Sequence, residues 1–382
     1  GTQRFSSAGM NSTTLATSGD GAFCHIDQSN PTHQSTSYVR NSIYRSTNSG
    51  AGFTRFINDL TTGKFINPSD YDDKHNILYR SKTNSTLYRH SNFTGGSVTT
   101  STITITGLTN EASAITASPY SGTTSTVFVG NDNGQLFKVT NASTTPVISN
   151  IDASNNVPSG SISCIELGAS ENEILVTIFN YGTVSVWYTS NGGTSWVSKE
   201  GNLPDMPIRW ALFNPRNRKE VIVATELGIW ATTDILASSP TWAASNSGLA
   251  NVRVDMLQYR SSDSLIMVST HGRGVFTGRF KTPVAPPSGL PVAKFGADKT
   301  TICVGESVTF TDSSTNSPTS LLWTFTGGTP STSSASKPVV TYSTAGTYAV
   351  KLRATNANGA DSLTKTAYIS VNAAPNASLS AF

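Results

Sequence analysis

The chain has 382 residues, only 13% of them charged, and its 26 lysines and arginines nearly cancel 23 aspartates and glutamates to leave +3. So weak a charge, with no basic cluster, excludes a nucleic-acid surface. No apolar run reaches the roughly 18 residues of a membrane-spanning helix, so the chain is not membrane-spanning by that route. Serine and threonine make up roughly 28% of the chain, and Thr, Val, Ile and aromatics outweigh Leu-Ala-Glu-Lys stretches, which is the composition of a packed all-β protein.

The first residues, Gly1-Thr2-Gln3, show neither an initiator Met nor a leader. A β-rich, Ser/Thr-rich chain of low charge reads as an exported, extracellular or cell-surface protein, with the leader expected upstream. Cys24, Cys164 and Cys303 have no metal-ligand spacing and allow at most one disulfide; they read as three buried small apolar side chains.

In chain order, a short phrase of turn residue, aliphatic and aromatic recurs, with its aromatic at Tyr44, Tyr88, Phe137, Trp187, Trp230 and Phe276. The intervals are 44, 49, 50, 43 and 46 residues. Each phrase follows another apolar run, such as Leu78-Tyr79, Val127-Phe128-Val129 or Val221-Ile222-Val223, and turn signals such as Asn67-Pro68 and Asn131-Asp-Asn-Gly134 separate the runs. No apolar period of 3.6 is long enough for a substantial helix. Units of about 46 residues with several short strands predict a multi-bladed β-propeller over 1–280, with about six blades visible and room for more in a larger ring.

Two further phrases share one spacing. Ser46, Asn48, Gly50 and Phe53 recur as Thr189, Asn191, Gly193 and Trp196. A short acceptor that bonds nearby amides, a glycine in the left-handed region and an aromatic plug make a turn device rather than a catalytic set. A decayed copy spans Thr232-Thr-Asp234 and Thr241-Trp242. The pattern resembles the Asp-box of BNR-type propellers, with Asn in place of Asp. With Gly19-Asp20-Gly21, His25-Ile-Asp27, Leu227-Gly-Ile-Trp230 and Thr270-His271-Gly-Arg273-Gly-Val-Phe276, the order of phrases is similar to the sortilin-like/BNR propellers of exported Bacteroidota proteins. In that family the start commonly reads Gly-Thr-Gln-Asp-Asn-Gly; here Arg4-Phe5-Ser6 follows Gln3, so no ligand role is assigned to that loop. The resemblance implies type IX secretion, with that machinery as a partner during export. His271 and Arg273 are candidates for the propeller mouth or its closure.

Residues 281–290 form a Pro-rich, extended linker. From 291 to 373 the pattern alternates apolar and polar with turns between, as in an immunoglobulin-like β-sandwich, and Trp323 and Phe325 share one face by the period of two. The phrases Trp323-x-Phe325-x-Gly-Gly-Thr-Pro330 and Tyr342-x-x-Ala-Gly-Thr-Tyr348-x-Val350 closely resemble a PKD domain. Pro291-Val-Ala293-Lys-Phe295 aligns with Pro375-Asn-Ala377-Ser-Leu379 at an offset of 84 residues, so 374–382 reads as the start of a further PKD-like domain.

Chemistry is sparse. The five histidines show no HExxH and no ligand pair, and no GxSxG, P-loop or GxGxxG occurs. Asp20, Asp27, Asp70, Asp72, Asp73, Glu226, Asp234 and Asp255 are carboxylates by number only, and the Asp70–Asp73 run reads as a solvated loop before it reads as a calcium site. No cofactor is expected, with calcium the one ion considered; Asp298, Glu306 and Asp312 in the sandwich read as turn residues. Asp263-Ser264-Leu265 and Asp361-Ser362-Leu363 resemble the Bacteroidota O-glycosylation sequon. The reading is a binding or structural protein, an adhesin whose propeller presents a glycan or protein ligand site and whose PKD modules form a stalk. The alternatives are a glycoside hydrolase of sialidase or xyloglucanase type, and cargo docked on a type IX secretion complex.

Overall fold

In a computed structural model of the chain, residues 2–4, 13–152, 157, 160–249, 251–261, 263–280, 290–316, 318, 320–356 and 359–373 are described. The expected linker, save Leu290, and the expected second sandwich at 374–382 lie outside them. The chain divides into two compact units, Gly1–Lys281 and Thr282–Phe382. Every regular element among the described residues is a strand.

The first unit is a succession of antiparallel meanders. Blade 1 comprises Cys24–Ile26, Gln34–Ser37, Asn41–Ser46 and Thr54–Asp59. Blade 2 comprises Ser69–Asp72, Ile77–Thr83, Thr86–Ser91 and Thr99–Thr104. Blade 3 comprises Ala112–Ala117, Val127–Asn131, Leu136–Thr140 and Val147–Asn150. Blade 4 comprises Ile162–Leu167, Ile174–Ile178, Val186–Thr189 and Val197–Ser198. Blade 5 comprises Ile208–Asn214, Asn217–Thr225, Gly228–Thr232 and Trp242–Ala244. Blade 6 has three strands, Val254–Arg260, Leu265–Thr270 and Gly274–Gly278, and Thr2–Arg4 pairs with Thr14–Thr17 in a separate two-stranded sheet.

The six landmark aromatics all fall on the third strand of their blade. The apolar runs before them are the second strands, and Val127–Asn131 and Ile174–Ile178 are buried at every position. A strand covered on both faces by neighbouring sheets has no solvent side, which is why these runs are continuous rather than alternating. The first strands of blades 2 to 6 lie side by side as the inner wall. Phe23, just ahead of blade 1, meets Trp210 on the inner strand of blade 5 with ring centroids 6.5 Å apart, so the succession curls back on itself around a channel.

Apolar clusters weld consecutive blades from 2 to 6, for example Tyr79, Leu87, Val129 and Phe137 between blades 2 and 3. The seam between blades 1 and 2 is different. Its cluster holds only Ile43, Leu78 and Phe93 fully buried, and Asn41, Asn67 and Arg80 fill the rest. Arg80 is 1% exposed and donates from Nε to Asn41 Oδ1 (2.9 Å) and from Nη2 to the Arg40 carbonyl (2.6 Å).

Both box phrases form the turn from third to fourth strand. Ser46 Oγ accepts from the Gly50 amide (2.9 Å) and Asn48 Oδ1 from the Gly52 amide (3.0 Å), with Gly50 at φ +75°. Thr189 Oγ1 accepts from Gly193 N (3.2 Å) and Asn191 Oδ1 from Ser195 N (3.0 Å), with Gly193 at φ +92°. Trp196 donates its indole N–H to the Ile151 carbonyl (2.9 Å), at the end of blade 3. Trp242 of the interrupted copy does the same to the Lys199 carbonyl (3.0 Å), at the end of blade 4. The aromatic is thus a peg between adjacent blades, paired at its one polar atom. Phe53 has no polar atom to place and stays half-buried.

The expectation of three buried cysteines needs correction. Cys164 alone is buried, on an inner strand, while Cys24 and Cys303 are exposed, and all three are free thiols. Cys24 and Cys303 lie on short strands near sheet ends, where little covers them.

The second unit is a two-sheet sandwich. One sheet orders Phe295–Ala297, Ser307–Asp312, Val339–Tyr342 and Gly328–Thr329; the other orders Thr301–Cys303, Gly359–Asn372, Gly346–Asn356, Ser320–Phe325 and Thr332–Ser333. Trp323 and Phe325 are both fully buried and stack at 5.6 Å, with Phe295 and Phe310 against them. Asp298, Glu306 and Asp312 each accept backbone amides of their own or adjoining turns. Trp196→Ala and Trp323→Ala should each cost about 3–5 kcal/mol, read as a lower denaturant midpoint of the transition belonging to that residue's own unit.

Candidate functional site

In a four-stranded antiparallel meander, the turn from second to third strand and the connection from the fourth strand to the next blade emerge at the same end. On this protein those segments are tied into a rim. Arg40 Nη1 donates to the Gly63 carbonyl (3.0 Å), and the Gly63 amide to the Lys82 carbonyl (2.8 Å). Lys64 pairs with Asp132, whose other oxygen accepts Ser161 Oγ (2.7 Å). The Ser161 amide reaches Asn180 Oδ1 (2.7 Å), and Gly182 N reaches Asp205 Oδ1 (2.7 Å).

At the channel mouth, Arg209 opens the inner strand of blade 5 beside the Phe23–Trp210 pair. Its guanidinium lies over the Phe179 ring at 4.3 Å, bonds Glu226 at 2.6 Å, and reaches Asp255 of blade 6 at 3.3 Å. Arg253 donates to Asp255 (2.9 Å) and from Nη2 to His271 Nδ1 (2.7 Å). His271 Nδ1 also approaches Asp255 of the same blade, at 3.6 Å. Arg273 is exposed beyond this cluster and has no side-chain hydrogen bond or ion pair among the described residues. Around these charges the same end exposes Tyr181 (66%), Phe65 (55%) and Leu227 (52%), with Leu60 and Ile66 beside Phe65 in sequence. On the connections at the opposite end, the large exposed apolar side chains are Tyr120 and Leu236.

The structure sorts the sequence-named carboxylates. Glu226 and Asp255 come together at the mouth through Arg209. Asp234 pairs with Lys219 on the exterior at 3.3 Å. The Asp70–Asp73 run is a strand and its exit, so its side chains diverge. Asp72 turns to Ser125 and His75, while Asp73 accepts the Gln28 amide beside Asp27. No group of three or more His, Cys, Asp or Glu side chains able to hold a metal occurs among the described residues. The two box motifs lie at the end opposite the mouth.

Inside the channel sit two acids with altered affinities, of which Glu166 was not singled out from the sequence. Asp70, on the inner strand of blade 2, keeps 34% of its side chain accessible. Burial and then the Asp72 charge raise it to about 6, against hydrogen bonds from the Ala117 and Tyr71 amides. Burial raises Glu166 to about 8, with the Asp70 charge adding to it, while the Phe213 amide and Arg218 oppose the shift. Burial and the Arg80 charge lower His25 to about 3, so its 3.9 Å contact with Asp70 joins no cation at neutral pH.

Acids with raised values bind protons in the folded state that the unfolded chain has released, so they favour folding below the unfolded values and lose that contribution as pH rises. The loss should run from about pH 4 to 6 for Asp70 and from about pH 4.5 to 8 for Glu166. Glu166→Gln should therefore flatten the fall in stability between pH 5 and 8, measured as denaturant midpoints across that range. A profile as steep as that of the unsubstituted chain would rule out a protonated Glu166.

The family profile of the PKD domain matches residues 289–371. No curated protein matches the chain. Among solved structures, YCF48 bound to D1 peptide superposes with a TM-score of 0.51 at 12% identity, over 71% of this chain and 81% of that one. The extracellular domain of the hybrid two-component system protein BT3049 from B. thetaiotaomicron superposes with a TM-score of 0.51 at 11% identity, over 95% of this chain and 51% of that one. At such identities the likeness is one of fold. The chain is an all-β protein in which the blades of a β-propeller are followed by a PKD domain.

Proposed function

We propose that the first unit is the ligand-binding propeller of an exported cell-surface protein, an adhesin whose mouth takes a glycan or protein ligand, with the PKD domain as spacer. The observation that carries this reading is the mouth itself. One end of the blades combines exposed Tyr181, Phe65 and Leu227 with the Arg209–Glu226–Asp255–Arg253–His271 cluster, on a rim held by side-chain to backbone bonds. Exposed aromatics set beside fixed polar groups on a rigid scaffold are the usual make-up of a recognition surface. A solved propeller of similar fold is bound to a peptide, which supports a protein ligand by analogy. The two Asn-bearing boxes and the Thr270–Phe276 phrase support a sortilin-like/BNR origin in Bacteroidota with export by type IX secretion.

The glycoside-hydrolase reading is favoured by one feature, the raised acids Asp70 and Glu166 within the channel, since a protonated carboxyl can act as general acid beside an ionised one. The mouth carboxylates do not serve that reading, because both are tied to Arg209.

Binding to immobilised glycan and peptide panels tests the proposal. Tyr181→Ala and Arg273→Ala should each weaken the captured ligand roughly tenfold without lowering the unfolding temperature, as expected of central contact residues. Tyr120→Ala, at the far end, should leave affinity unchanged. Equal loss from Tyr120→Ala, or glycan turnover abolished by Glu166→Gln, would count against the mouth as the working site.

A further inference from the structure

We propose that the outer edge of blade 6 is a docking site for an extended segment of a second polypeptide, one that carries a tryptophan. Blades 1 to 5 each have a fourth strand. In blade 6 the third strand, Gly274–Gly278, pairs with Leu265–Thr270 alone among the described residues.

The sister blades show what such an edge receives. In blade 3 the Ile151 amide, just past the fourth strand, bonds the Leu136 carbonyl (2.9 Å), and the Ile151 carbonyl takes the Trp196 indole of blade 4. In blade 4 the Lys199 amide bonds the Val186 carbonyl (2.8 Å), and the Lys199 carbonyl takes the Trp242 indole of blade 5. Blade 5 repeats the first half of this device, with the Ser245 amide on the Ile229 carbonyl (2.8 Å). Among the described residues no donor reaches the Ser245 carbonyl, and Ser245 is half-buried where Ile151 and Lys199 are buried.

The register follows from the same series. Leu136, Val186 and Ile229 each stand one residue before their blade's landmark aromatic, and their carbonyls point to the fourth strand. The equivalent residue in blade 6 is Val275, which is 37% exposed. By the alternation of an antiparallel ladder, Val275 and Thr277 turn their amides and carbonyls to the open edge. Thr232 lies opposite Trp242 in blade 5; its equivalent is Gly278, with open space where a Cβ would point. An entering strand therefore pairs with Val275 and Thr277 and sets its tryptophan opposite Gly278, toward Ser245. Donors and acceptors that alternate along an edge select a peptide backbone. Residues 281–290 do not suit the role, because they hold no tryptophan, and Pro283, Pro286 and Pro287 lack ladder amides. Phe280 meets Tyr259 at 6.3 Å, and its ring has no donor for Ser245.

The probe is a synthetic peptide with the sequence of the blade 4 box strand, residues 189–199, added to the whole chain and followed by backbone-amide NMR. It should shift the Val275 and Thr277 amides saturably by millimolar peptide. The shifts should vanish when the peptide has alanine for Trp196, or is N-methylated at Val197, which faces Tyr188 in blade 4 and so would face Thr277 here. Thr277→Pro in the protein should abolish them as well. No shift by millimolar peptide, shifts that survive N-methylation, or shifts confined to Val186 and Tyr188 of blade 4 would each overturn the proposal. So would Val275 and Thr277 amides already protected from hydrogen exchange in the free protein, which would make a segment of this same chain the occupant. None of these readings depends on ligand binding at the mouth.

Discussion

A blade of this propeller has two apolar faces and no way to cover either by itself. That constraint explains most of the first unit. It makes the second strands continuous apolar runs, buried at every position in blades 3 and 4. It also requires each sheet to lean on the next, as the clusters from blade 2 to blade 6 do. The indoles of Trp196 and Trp242 add a polar bond to that packing, because each reaches a carbonyl at the end of the preceding blade. A single blade would expose all of this surface, so the unit of folding is the stack and not the repeat.

The seam between blades 1 and 2 departs from this rule and is correspondingly rich in polar groups. Arg80 is buried there against Asn41 and a backbone carbonyl, with no carboxylate partner among the described residues. A buried guanidinium without a counter-charge is costly unless hydrogen bonds hold it, and the lowered proton affinity of Arg80, to about 9, follows from that burial. Burial, and after it the same charge, keeps His25 neutral. Polar seams are specific but less forgiving than apolar ones, since each partner lost leaves another group unpaired.

The mouth and the channel divide the ionisable groups by depth. At the mouth, carboxylates meet arginines and are neutralised by them. Deeper in, Asp70 and Glu166 have amide donors but no cationic partner among the described residues, and burial raises their proton affinity. The rim that frames the mouth depends on backbone amides and carbonyls of turns, as at Gly63 and Gly182, so its exposed side chains vary without disturbing the blades beneath.

Period, turn chemistry and composition were enough to read the all-β class, the six third-strand aromatics, the box turns and the sandwich core at Trp323 and Phe325, because each of these is a local pattern imposed by strand geometry. His271, Arg273, Glu226 and Asp255 could be named from the chain, but nothing in their spacing joined them. Arg209 and Glu166 carried a signal that went unused, a lone charge inside an otherwise apolar strand. What only the tertiary structure decided is which charged residues meet. Arg209 gathers Glu226 and Asp255 from two blades, and Asp70 influences Glu166 from two blades away along the chain. Such encounters depend on how sheets stack around an axis, and that arrangement brings together residues far apart in sequence.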